Sequence, residues 1–296
     1  MRIECRMQIA DCRMRSRITH HASRPQQAFT MVEIAISLAI IGFALVAIIG
    51  VLPIGMNVQK DNREETIVNQ DATVFLNAIR NGARGVDDLT NYVTYITKDV
   101  WQSMPAGAKL TPVRSDWFNY ANSSLGSQFA LTNGYRIVGL LSTPKYVPFT
   151  SGRQSGFLSN HVVAYVRSMS GTASEKTRPN PSSVSDLASS LSFSYRLTSE
   201  VIPYMTNYYD QSWVDFAQPG LSITEAVIRS NNLMVVNNLR NNLSDLRLVF
   251  AWPFTPKGVL PKTARGQSFR TLVGGQLTND PPGSLWWFLQ PRTYVK

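Results

Sequence analysis

Only two cysteines occur in the 296 residues, Cys5 and Cys12, and both precede position 28. Everything beyond must hold its fold without disulfides, and the C-x6-C spacing of the pair fits no common metal site. Histidine is as scarce, and His161 is the only one after position 28. A Ser-His-Asp triad would have to use it, yet no G-x-S-x-G elbow is present. His161 opens an apolar strand and reads as a structural residue. There is no Walker loop, no dinucleotide fingerprint and no His/Cys cluster for zinc. Asp87, Asp88, Asp210 and Asp215 are loop carboxylates that Ca²⁺ could use, but without EF-hand spacing. The expectation is a protein that is not an enzyme and carries no cofactor and no metal.

Charge is sparse as well. Charged residues make up 16% of the chain, although the net charge is +10 and the pI about 9.8. Residues 1–28 carry six arginines against Glu4 and Asp11, a net of +4, which leaves +6 for the remainder. From Ile34 to Val58 there is no charge at all. As a helix rising about 1.5 Å per residue, those positions span about 37 Å, enough to cross a bilayer core of about 30 Å with some tilt. A basic flank before the span places the N-terminus in the cytoplasm and the rest outside. Glu33 stands just inside the edge of the run, where a deep lone carboxylate costs about 2.5–3.5 kcal/mol. A secretory signal peptide has a shorter apolar region, about 7–15 residues, and an A-x-A site that is missing here before Asn57. A plain signal anchor, with Glu33 merely at the interface, remains open.

The leader, then Ala28-Phe29-Thr30-Met31-Val32-Glu33 and the apolar run, resembles the N-terminus of type IV prepilins and type II secretion pseudopilins. The resemblance covers roughly Arg24 to Met56 closely. It implies a prepilin peptidase that cuts between Ala28 and Phe29 and methylates the new amine of Phe29. Alanine stands where glycine is commoner, so slower cleavage is expected. Glu33 becomes the fifth residue of the mature chain and an assembly residue, pairing with the ammonium of a neighbouring Phe29, since both charges are costly in hydrocarbon. Each chain offers one of each, and a contact that repeats without closing builds a helical filament. The membrane span runs from Ile34 to Val58. Gly42, Gly50 and Pro53 weaken it, and a simple kink competes with the local melting seen in related filaments.

Beyond Met56 the pattern turns amphipathic. Val68, Ala72, Phe75, Leu76 and Ile79 form one stripe, and Gly82 and Gly85 end the helix near Asn81. From Val86 the composition becomes aromatic, Ser/Thr/Asn-rich and β-prone. Tyr92–Trp101 is ambiguous between helix and strand. Asn133-Gly134 ahead of RIVGLLS predicts a hairpin turn. Strands are predicted over His161–Met169, Leu191–Ile202, Leu246–Trp252, Gln267–Val273 and Leu285–Leu289, with a loop over Ser170–Ser190 and a helix within Ile223–Asn242. Trp286-Trp287-Phe288 and Tyr208-Tyr209 could meet a partner, with core packing the default.

Strands after one long helix, without βαβ alternation, give an α+β fold with a mainly antiparallel sheet. The resemblance makes it pilin-like: residues 1–28 a cleaved basic leader, 29–85 the transmembrane and stalk helix, 86–296 a β-rich periplasmic or extracellular head. The implied partners are prepilin peptidase, other pilin or pseudopilin subunits, an inner-membrane assembly platform and the membrane itself. A head of about 210 residues points to a minor pseudopilin of a type II secretion pseudopilus or type IV pilus. Rivals are a DNA-uptake minor pilin and a membrane-anchored enzyme. The first is disfavoured because no Lys/Arg run is interleaved with aromatics.

Overall fold

The computed structural model describes residues 29–103, 110–151, 154–171, 193–204, 219–254, 261 and 263–294. The chain divides into two units, Met1–Val58 and Gln59–Lys296. Helix α1, Met31–Arg80, supplies the described part of the first and opens the second. Its first half has no charged residue to interrupt it between Ile34 and Val58, and every side chain from Phe29 to Lys60 is exposed.

The second unit is organised by the striped half of α1. Val68, Ala72, Phe75 and Ile79 are completely buried, as their spacing predicts, with Leu76 half-buried on the flank of the stripe. Fully burying the side chain of Val68, Phe75 or Ile79 contributes about 1.5–3 kcal/mol each. The helix ends where glycine permits it. Gly82 takes φ +57°. Ala83 N–H donates to Ala78 O at 2.9 Å and Gly82 N–H to Ile79 O at 3.1 Å, the two bonds of a Schellman cap.

Against this stripe lies a seven-stranded, wholly antiparallel sheet. Its strands are β1 (Val93–Ser103), β2 (Thr111–Phe118), β3 (Tyr146–Ser151), β4 (Gln154–Arg167), β5 (Ser194–Pro203), β6 (Leu243–Trp252) and β7 (Arg265–Gly274). The order is β2-β1-β4-β5-β6-β7, and β3 joins β4 over residues 154–159 on the same side on which β5 joins residues 162–167. Register sets Ile96, Ala164, Leu197 and Phe250 in one row across four strands, and all four are fully buried. Strand alternation thus turns one face of the sheet to the core. A hairpin of β8 (Gln276–Asn279) and β9 (Trp287–Gln290) completes the core with Phe288 and Leu289.

One carboxylate lies within the apolar joint. Asp71, on the buried stripe of α1, accepts hydrogen bonds from Met169 N–H (3.0 Å), Ser170 N–H (3.1 Å), Ser170 Oγ (2.7 Å) and Tyr195 Oη (2.9 Å). It ties the helix to the end of β4 and to β5. Burial pushes its pKa up, against the hydrogen bonds, which pull it down.

Among the described residues two α-helices follow α1. α2 (Gly134–Leu141) stands where the Asn133-Gly134 pair predicts a hairpin turn, and that expectation is corrected. Asn133 caps a helix instead, its side chain accepting from Arg136 N–H at 3.1 Å. A Cβ on Gly134 would lie 1.9 Å from Val86 O, so the glycine is there for close approach and not for a reversal. α3 (Ile223–Asn242) fills the segment expected to contain a helix and begins with a capping box between Ser222 and Glu225. The ambiguous segment near Tyr92 is strand β1. The strands predicted over 161–169, 246–252 and 267–273 lie mainly in β4, β6 and β7. Most of the predicted Ser170–Ser190 loop lies outside the described residues.

Candidate functional site: the N-terminal helix start

The candidate site begins at the first residues of α1. Thr30 lies just before the helix, and Ile34 N–H donates to Thr30 O at 3.2 Å, the first helical bond. Glu33 N–H donates to Thr30 Oγ1 at 3.3 Å, while Thr30 N–H and Thr30 Oγ1 donate to Glu33 Oε2 at 3.1 and 3.2 Å. This is a reciprocal capping box, T-x-x-E, and it satisfies backbone donors that would otherwise be orphaned at the helix start. Negative charge there also suits the helix dipole. Ser37 Oγ donates back to Glu33 O one turn on.

Sequence reasoning singled out Glu33 but missed Thr30, although the T-x-x-E spacing before an apolar run was in plain view. The cap gives Glu33 a role inside its own chain. Its carboxylate is exposed nonetheless, and so are Phe29, Ile34, Gly42, Pro53 and Val58. Ala28 lies outside the described residues.

The helix passes through Pro53 without interruption. Proline lacks the N–H that would bond to the preceding turn, and this weak point lies in the apolar half. A Cβ added at Gly42, Gly50 or Gly55 would meet nothing within 4 Å. No contact among the described residues therefore requires glycine at those positions. A continuous exposed apolar surface of this length marks contact with lipid or with other apolar helices. Among the described residues α1 alone is long and apolar enough to cross a membrane.

In the second unit the remaining candidates are placed as follows. His161 is exposed on β4, in register with Asp99 of β1. Asp87 and Asp88 lie in a 3-10 turn, and Asp87 Oδ1 accepts from Gly134 N–H at 2.9 Å. Trp286 and Phe288 are buried and Trp287 is half-buried, so the aromatic run belongs mainly to the core. Tyr208, Tyr209, Asp210 and Asp215 lie outside the described residues. Among the described residues no three His, Cys, Asp or Glu side chains converge as metal ligands do.

Comparison with known proteins bears on the same stretch. Residues 23–49 match the family described as the prokaryotic N-terminal methylation motif. The chain thus carries at its N-terminus the signature of type IV prepilins and pseudopilins. No curated protein and no solved structure matches it.

Proposed function

We propose that this chain is a structural subunit of a type II secretion pseudopilus or a type IV pilus, and that it serves as a minor pseudopilin. The observation that carries the reading is the methylation motif joined to a helix whose apolar half is exposed on every side. Residues 1–28 are a leader, removed on the cytoplasmic side by prepilin peptidase between Ala28 and Phe29. Residues 29–85 anchor the protein in the inner membrane, and 86–296 form a periplasmic head. Methylation leaves the Phe29 amine charged. Once an assembly platform extracts the helix, that ammonium and the Glu33 carboxylate of the next subunit neutralise each other in the apolar bundle. An unpaired charge there is costly. The glycines with empty space around them suit close helix–helix approach in such a bundle.

Mass spectrometry of membrane-extracted protein tests the reading. The expected chain begins at Phe29 and carries an N-methyl group. An intact Ala28–Phe29 bond in cells with active prepilin peptidase would overturn it.

A further inference from the structure

We propose that the outward face of α3 docks on the same face of a second copy of this chain, as an antiparallel helix pair whose twofold axis passes through Asn231. Such a contact closes at two chains and cannot propagate. It is therefore separate from the filament contact proposed through Glu33, and its failure would leave that reading untouched.

α3 rests on β6 and β8, and its buried residue is Val236. An amphipathic surface helix ordinarily turns its charged residues to the solvent. α3 does the reverse. Its charged side chains are Glu225, Arg229 and Arg240. At about 100° per residue, all three project within about 40° of Val236 around the helix axis. The opposite face is centred on Asn231 and carries no charge. Val227, Ile228, Met234 and Val235 stand on it and are 53% to 64% exposed. Thr224, Asn231 and Asn238 are exposed between and beyond them. A clustered apolar surface of this kind marks contact with a partner.

The order of these residues says which partner. Counted outward from Asn231, apolar residues stand three and four positions away on both sides, and a short polar residue stands seven away on both sides. The face has the same pattern in either direction. Turned antiparallel about Asn231, Ile228 meets Met234 of the second copy, Val227 meets its Val235, and Thr224 meets its Asn238. Each Asn231 meets its own counterpart, and an amide offers both the donor and the acceptor for that pairing. A twofold contact requires this self-complementarity, since residue i touches j while j touches i. A parallel pair would need no such symmetry and would set like ends of two helix dipoles together. No charge stands on the face to repel a second copy or to select a charged partner. The face is smaller than the about 20–30 residues a side of a standard interface, so the dimer is weak and is favoured where chains are confined together.

The test is disulfide trapping on the full chain in detergent micelles. Cys5→Ser and Cys12→Ser make an introduced cysteine the only thiol. Asn231→Cys, at the axis, is expected to give disulfide-linked dimers on mild oxidation. Thr224→Cys alone and Asn238→Cys alone should stay monomeric, because each lies about 21 Å along the helix from its own copy in an antiparallel pair. Mixing those two variants should restore the dimer. Val235→Glu, added to Asn231→Cys, sets a carboxylate against Val227 of the second copy and should slow trapping at least tenfold. Val235 is exposed, so the fold tolerates that change. Equal trapping of all three single-cysteine variants, as chance encounter in a micelle or a parallel pair would give, would overturn the proposal. So would an Asn231→Cys thiol that fails to dimerise, whether a maleimide reaches it, as on a face left for a different protein, or cannot, as on a face covered by another segment of this chain.

Discussion

Glu33 serves one role in the helix cap and a second in the proposed assembly, and two substitutions separate them. Thr30→Ala removes the cap but keeps the carboxylate, with an expected cost of about 1 kcal/mol in helix-end stability. Glu33→Ala removes both, and leaving the neighbouring ammonium unpaired costs about 3–5 kcal/mol. Each 1.4 kcal/mol is about tenfold in association. Cysteine cross-linking between engineered sites on neighbouring helices should therefore survive Thr30→Ala and collapse in Glu33→Ala. Equal cross-linking in both would mean that Glu33 is a cap and no more. Asp71 calls for a different measurement. Its folded-state pKa is raised by burial, so the native chain holds that proton more tightly than the unfolded one. The group's contribution to stability is greatest at low pH and declines as pH rises through the raised value, above the ordinary 3.8. Relative to Asp71→Asn, the unsubstituted chain should gain denaturant resistance on acidification from neutral pH toward that window. A difference independent of pH would refute this. Asp71→Ala strands the Met169, Ser170 and Tyr195 donors, and a loss of about 3 kcal/mol or more is expected by urea unfolding.

At the scale of elements, Gly82 is the sharpest test of how α1 ends. Its φ is +57°, and a Cβ there would lie 2.1 Å from Leu289 O. Gly82→Ala should cost more than the about 1 kcal/mol of a left-handed alanine alone, because backbone must also move. Thermal unfolding followed by circular dichroism measures it; a shift no larger than for an exposed Gly→Ala change elsewhere would contradict the packing described. Asn133→Ala should cost about 1 kcal/mol through loss of the α2 cap. Long periodic patterns made α1 legible in the sequence, and its buried stripe was read residue by residue. Strands β4, β6 and β7 were legible because each carries a short run rich in β-branched and aromatic residues. The α2 region was not, because Asn-Gly serves a hairpin and a capped helix equally well, and the deciding contact, Val86 O against Gly134, is distant in sequence. Glu33, by contrast, stood out as a lone charge, and its partner Thr30 needed only the capping-box spacing.

For the whole molecule, the +6 carried beyond residue 28 is a net excess spread along the chain, and several of its arginines are held in ion pairs. Arg84 meets Asp280 at 2.8 Å, Arg265 meets Asp61 at 2.6 Å and Arg270 meets Asp245 at 2.6 Å. Paired cations release few counterions, so the full chain in detergent should bind duplex DNA no tighter than micromolar at moderate salt, with a shallow salt dependence. Sub-micromolar, steeply salt-sensitive binding would promote the DNA-uptake reading. The apolar stripe of α1 is covered by strands up to β9, so Ile79 emerges from the ribosome about 200 residues before Phe288 and Leu289. At about 5–20 residues per second the stripe waits at least ten seconds for its last cover. During that interval the nascent chain needs a holdase, or an early intermediate of β1 and β4, to shield Val68 and Phe75 from aggregation.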